Sequence, residues 1–163
     1  MTSWRARKTL GNRLEEHVAH ELTSRGWAVD HWGQGVIAAA VSKVLRRTDS
    51  SLRWAPDLLA ARQDTVVMID CKASMTSRAT GKHAVERAAV KAHLQFAALF
   101  DLPLYYVFDN LGVLTPMDVC GIGHLGPHTR VGSGAPYYLV STTTDRAFND
   151  VFGTATRQTN DAA

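Results

Sequence analysis

The chain has 163 residues, 45% of them hydrophobic and 20% charged, which suits a globular fold and excludes a disordered chain of low hydrophobicity. No apolar run reaches the ~20 residues needed to span a bilayer. The basic opening MTSWRARKTLGNR also lacks the apolar centre of a signal peptide, so a cytoplasmic location and no membrane partner are expected. A net charge of +3 permits a polyanionic partner without requiring one, and two cysteines, Cys71 and Cys120, fit reduced thiols better than a disulfide framework.

Leu10 to Arg25 reads as a helix, with Leu14, Val18, Ala19 and Leu22 at helical spacing and Gly26 as the stop. Arg5, Arg7, Lys8 and Arg13 crowd its start. Glu15 projects to the edge of the apolar stripe and Glu16 points further out. Glu15 is either an exposed acid favoured by the helix dipole or a third acid leaning toward the group described below. His17 and His20 are three apart, but no third ligand accompanies them locally.

Trp27 to Asp30 is a short strand candidate, and HWGQG after it is a glycine-punctuated loop. Val36 to Arg47 reads as a helix with a stripe of Ile37, Ala40, Val41, Val44 and Leu45. Arg46 and Arg47 at its end, with Arg53 soon after, are either dipole-friendly termini or a phosphate-gripping patch.

The stretch WAPDLLAARQDTVVMIDCKAS, Trp54 to Ser74, is the centre of the chain. Two apolar runs split by Arg62, Gln63 and Asp64 predict a β-hairpin. Side chains alternate along a strand, so Asp70 and Lys72 share a face and Cys71 takes the other. Asp57, at the start of the first strand, can lie close to them. Two carboxylates and an ammonium at a strand end could hold Mg²⁺, which takes one or two carboxylates plus waters and phosphate oxygens. The same residues would also suit an ordinary strand end with solvated charges.

ASMTSRATGKH follows as a basic loop carrying Arg78 and Lys82, placed to close on nucleic acid. Ala84 to Phe100 is the second long helix, in which His93 and Gln95 could support the site from behind. Leu102 to Phe108 is a strand, Val113 to Val119 returns as another with Pro116 marking an edge, and Ala135 to Val140 is the last. Between them Cys120 to Gly134 is glycine-rich, and Cys120, His124 and His128 make only a weak zinc pattern. Thr143 or Thr144 can cap a short helix through Phe152. The expectation is one domain over residues 1–152, an α/β fold with a mixed central sheet flanked by helices, and a disordered tail over 153–163.

A helix bearing Glu15, then Pro56-Asp57, then Asp70-x-Lys72, then a helix and an apolar strand, resembles the PD-(D/E)xK nuclease superfamily. GNRLEEHVAHELTSRGWAV is similar to the N-terminal stretch of archaeal-type Holliday-junction resolvases. The resemblance implies a restriction-endonuclease-like core and an endonuclease that hydrolyses DNA phosphodiesters, with branched junctions as the expected targets. It also implies a homodimer, with the LPLYYVF strand or the late apolar helices as its interface. By the match Glu15, rather than Glu16, is the helix-borne acid. Asp57 and Asp70 would ligate Mg²⁺ (Mn²⁺ substituting), Glu15 would complete the shell directly or through water, and Lys72 would position the attacking water. Arg13, Arg46, Arg47, Arg53, Arg78 and Lys82 are the candidate DNA contacts. The segment from Gly26 to Pro56 is longer than in compact resolvases. Only Gln34 offers a counterpart to the resolvases' serine after the first strand. A restriction-like or recombination-associated nuclease, and a non-catalytic DNA-binding protein on the same fold, remain alternatives.

Overall fold

The computed structural model describes residues 4–33, 36–126 and 136–155, with side chains from residue 11 onward. The expected tail therefore lies, past residue 155, outside the described residues. Helix α1 (Trp4–Thr23) buries Leu14, Val18 and Leu22 at a spacing of four. It ends where Gly26 takes a positive φ of 78°. The chain turns into β1 (Ala28–His31), which pairs antiparallel with β2 (Leu58–Arg62). The central hairpin forms as the sequence predicts. β2 pairs with β3 (Thr65–Lys72) through a two-residue turn in which Gln63 takes a φ of 53°.

The route from β3 onward differs from the expectation. The basic loop after Lys72 is itself a hairpin, β4 (Thr76–Ser77) with β5 (Lys82–Glu86), and α3 (Arg87–Phe100) begins three residues later than predicted. Val85 continues the helical apolar stripe in phase. However, β5 pairs along its whole length with β9 (Tyr137–Ser141), and that pairing takes the segment out of the helix. Asp101, in the left-handed region at φ 52°, closes α3.

β6 (Leu104–Phe108) returns parallel to β3, and β7 (Gly112–Leu114) pairs antiparallel with β6. The predicted strand over Val113–Val119 stops at Leu114. Thr115-Pro116-Met117-Asp118 starts α4 (Pro116–Ile122) instead, because Thr115 and Asp118 cap each other reciprocally and Pro116 stands in the first turn. β8 (His124–Leu125) pairs with β9. The predicted helix from Thr143 is divided. A 3₁₀ turn over Thr142–Thr144 capped by Ser141 comes first, then β10 (Arg146–Ala147), then α5 (Phe148–Phe152).

Two sheets result. The larger is mixed, in the order β1-β2-β3-β6-β7-β10, and the smaller runs β4-β5-β9-β8. Helices cover both faces of the larger sheet. On one face α1 and α5 close over Val67, Ile69, Leu58 and Val107. On the other, Val90 and Phe96 of α3 and Val119 of α4 close over Met68, Tyr106 and Phe108. β6 lies buried between β3 and β7, so the LPLYYVF strand is not an exposed dimer surface. The second predicted helix shrinks to α2 (Ala39–Leu45). Its predicted stripe is not its buried face: Val41 and Val44 are 53% and 61% exposed, while Ser42 is buried.

Candidate active site

The alternation along β3 sets the site. Val67, Ile69 and Cys71 face the α1 side, whereas Met68, Asp70 and Lys72 face α3. Asp70 therefore continues a row of buried apolar side chains and is itself buried. The Lys72 ammonium is paired with Asp70 Oδ2 and stands 5.0 Å from the centre of the Tyr106 ring.

Asp57 precedes β2, and its Oδ2 accepts the Cys71 N–H at 2.7 Å, which fixes it against the end of β3. Its backbone is clamped as well. The Asp57 carbonyl accepts the Trp32 N–H at 2.7 Å, and Gly33 lies so close to Pro56 that a Cβ there would sit 2.5 Å from the Pro56 oxygen. Glu15 comes from α1, and His31 at the end of β1 stands 4.0 Å from its Oε2.

The three acids feel one another. Burial raises the Asp57 carboxyl well above its ordinary pKa, and the Asp70 and Glu15 charges add to that. Glu15 is raised too, first by burial and then by Asp70 and Glu16, with His31 opposing. Burial and the same three carboxylates push the Cys71 thiol well up, which disfavours its thiolate. Three carboxylates against one ammonium leave an excess of negative charge at a half-buried sheet end. A divalent cation suits that charge. The described residues contain no group of three His, Cys, Asp or Glu side chains close enough to hold an ion together. Two carboxylates plus water is a sufficient donor set for Mg²⁺.

Behind Asp70 stands His93 of α3. Its Nε2 is 2.7 Å from the Trp54 carbonyl and 3.6 Å from Asp70 Oδ1, and its Nδ1 is 2.9 Å from the Tyr106 hydroxyl. Burial lowers the His93 pKa and, with the Asp70 charge, raises that of Tyr106 well above the usual phenol range. Gln95, the other candidate on this helix, turns away and accepts from Ser51 Oγ at 2.6 Å.

The predicted DNA-contacting cations are spread out. Arg13 is exposed on α1, two residues before Glu15. Arg46 and Arg47 are exposed just past α2, with Arg46 Nε 3.4 Å from the Ser42 carbonyl. Arg53 lies over the Trp54 ring at 5.0 Å and donates to the Thr48 carbonyl. Arg78 and Lys82 are exposed on the β4–β5 hairpin. Gln34 and His128 fall outside the described residues, while Cys120 lies in α4 and His124 in β8.

His31 and Tyr106 escape sequence reasoning. The register that places His31 opposite Leu58, and Tyr106 opposite Asp70, is the signal that finds them.

No family model matches the sequence, and no curated protein matches it. The fold is similar to those of several solved structures, two of them informative. One is Hjc, a Holliday junction resolvase of the archaeal hyperthermophile Archaeoglobus fulgidus. It is 14% identical with a TM-score of 0.56, over 88% of this chain and 96% of that one. The other is D212, a nuclease from a fusselovirus, 12% identical with a TM-score of 0.51, over 93% of this chain and 91% of that one. The chain thus has the fold of these two proteins, the restriction-endonuclease-like core that its motif order implies.

Proposed function

We propose that the chain is a Mg²⁺-dependent DNA endonuclease selective for branched DNA. The observation that carries the reading is Asp70: a buried carboxylate paired with the Lys72 ammonium and in electrostatic contact with Asp57 and Glu15, so that three acids meet one cation at the end of β3. The fold shared with a junction resolvase and a viral nuclease supports it.

Asp57 and Asp70 would hold the cation, with Mn²⁺ as a substitute, and Glu15 would reach it through water. The chemistry supplied there is polarisation of a phosphodiester oxygen and acidification of a bound water. The Lys72 ammonium, steadied by Asp70 and the Tyr106 ring, would orient the attacking water. It would also offset the negative charge that grows on the phosphate. Arg13, Arg46, Arg47, Arg53, Arg78 and Lys82 would grip the flanking phosphates. A four-way junction offers two symmetric cut sites, so this reading requires a two-fold dimer.

The test compares a four-way junction with linear duplex of the same sequence, in Mg²⁺, Mn²⁺ or EDTA. Symmetric cutting of opposed junction strands is expected with either metal and none with EDTA. Lys72→Ala is expected to abolish cleavage and leave DNA binding intact. Cleavage that survives both Asp70→Asn and Lys72→Ala would overturn the roles proposed for these two residues. Equal nicking of linear duplex would remove the junction preference.

A further inference from the structure

His93 is fully buried, yet none of the roles above uses it. Its two ring nitrogens face different partners. The Trp54 carbonyl can only accept, so Nε2 carries the proton that bonds it at 2.7 Å. Nδ1 is then the acceptor, and the Tyr106 hydroxyl donates to it at 2.9 Å. The same Nε2–H side of the ring lies 3.6 Å from Asp70 Oδ1. Trp54 stands three residues before Asp57, and Tyr106 pairs with Asp70 across the parallel β3–β6 ladder. One imidazole therefore touches the backbone that leads to Asp57, the strand partner of Asp70, and Asp70 itself. On the far side, Trp32 and Gly33 close on the Ala55–Asp57 backbone.

We propose that His93 is a positioning residue that fixes the separation of Asp57 and Asp70 and so sets the divalent-cation affinity of the site. This rests on reading the two aspartates as cation ligands. A histidine that merely filled the core would be replaced by an apolar ring of like size. A positioning histidine is not, because Phe supplies no donor for Trp54 and no acceptor for Tyr106. Gln keeps an amide N–H and an oxygen within one side chain and should restore the bridge in part.

The experiment is calorimetric titration of the full chain with Mg²⁺ and with Ca²⁺, alongside urea unfolding in EDTA, for wild type, His93→Phe, His93→Gln and Tyr106→Phe. His93→Phe is expected to stay folded and to bind both cations about 10–100-fold more weakly, the range usual for groups behind a metal ligand. His93→Gln should recover most of that loss. Tyr106→Phe deletes one hydroxyl and carries the test if the ring replacement does not fold; a severalfold loss is expected. Folded variants with wild-type cation affinity overturn the proposal while leaving the metal-site reading in place. So does His93→Gln binding as weakly as His93→Phe. A wild-type chain that binds neither cation overturns both.

Discussion

Gly33→Ala tests how tightly the Asp57 segment must be held. Gly33 has a φ of 68°, where an L side chain costs roughly 1–2 kcal/mol. The added Cβ would also meet the Pro56 oxygen at 2.5 Å and the Ala55 oxygen at 2.8 Å. An ordinary C···O contact needs about 3.3 Å, so the Pro56 peptide must retreat by ~0.8 Å. That movement acts one residue before Asp57 and stretches its bond to Cys71, now 2.7 Å, toward the limit of a hydrogen bond. A displacement on the order of 1 Å near reacting groups can lower a rate by ~100-fold. Gly26→Ala is the control: its φ is 78°, but nothing lies within 4 Å of the new Cβ. Urea unfolding in EDTA and junction cleavage in Mg²⁺ separate the two variants. Both should lose stability by about 1–2 kcal/mol or more, yet only Gly33→Ala should lose most of its cleavage rate. Wild-type cleavage by a folded Gly33→Ala protein would refute the clamp, as would an equal loss in Gly26→Ala.

Two further outcomes follow from charge. Asp57 has its pKa raised on folding, so the metal-free native state binds more protons than the unfolded chain and loses stability as pH rises through the raised value. Asp57→Asn keeps an oxygen for the Cys71 N–H and removes that loss. In EDTA it should raise the urea midpoint at pH 8, and the gain should vanish as pH falls to 3.8, the ordinary aspartate value. A variant less stable than wild type at pH 8 would show that the carboxylate is not strained by its neighbours. Arg78→Ala and Lys82→Ala, on the exposed β4–β5 hairpin, should each lower the slope of log affinity for DNA against log salt by about 1. An unchanged slope would place that hairpin outside the DNA footprint.

The central hairpin and the first helix are legible in the sequence because local pattern and tertiary role agree there. Leu14, Val18 and Leu22 mark a buried stripe, and the Asp70-x-Lys72 spacing puts both charges on one face. The departures occur where a distant partner decides. Val85 is in phase with a helix, but its pairing with Tyr138, far along the chain, makes it a strand residue. Val41 and Val44 have helical spacing, yet periodicity shows only that a face is apolar, not that anything covers it. The capping pair Thr115 and Asp118 is readable in the sequence, and the β-rich residues before it conceal the change. Glu15 is visible as an oddity on its stripe. His31 and Tyr106 need the strand register, which no local pattern supplies.

The Phe152 carbonyl accepts from both Trp27 Nε1 at 2.9 Å and Arg62 Nη1 at 3.1 Å, while Arg25 Nε reaches the Gly153 carbonyl at 2.8 Å. These contacts join chain positions 90 to 128 residues apart, and the Phe152 ring fills the layer beneath α1. Contacts of such sequence separation carry a high loop-closure cost, so this layer is completed only once α5 docks. A fragment ending before α5 would keep every proposed acid and Lys72 but lack the wedge that closes their supporting layer.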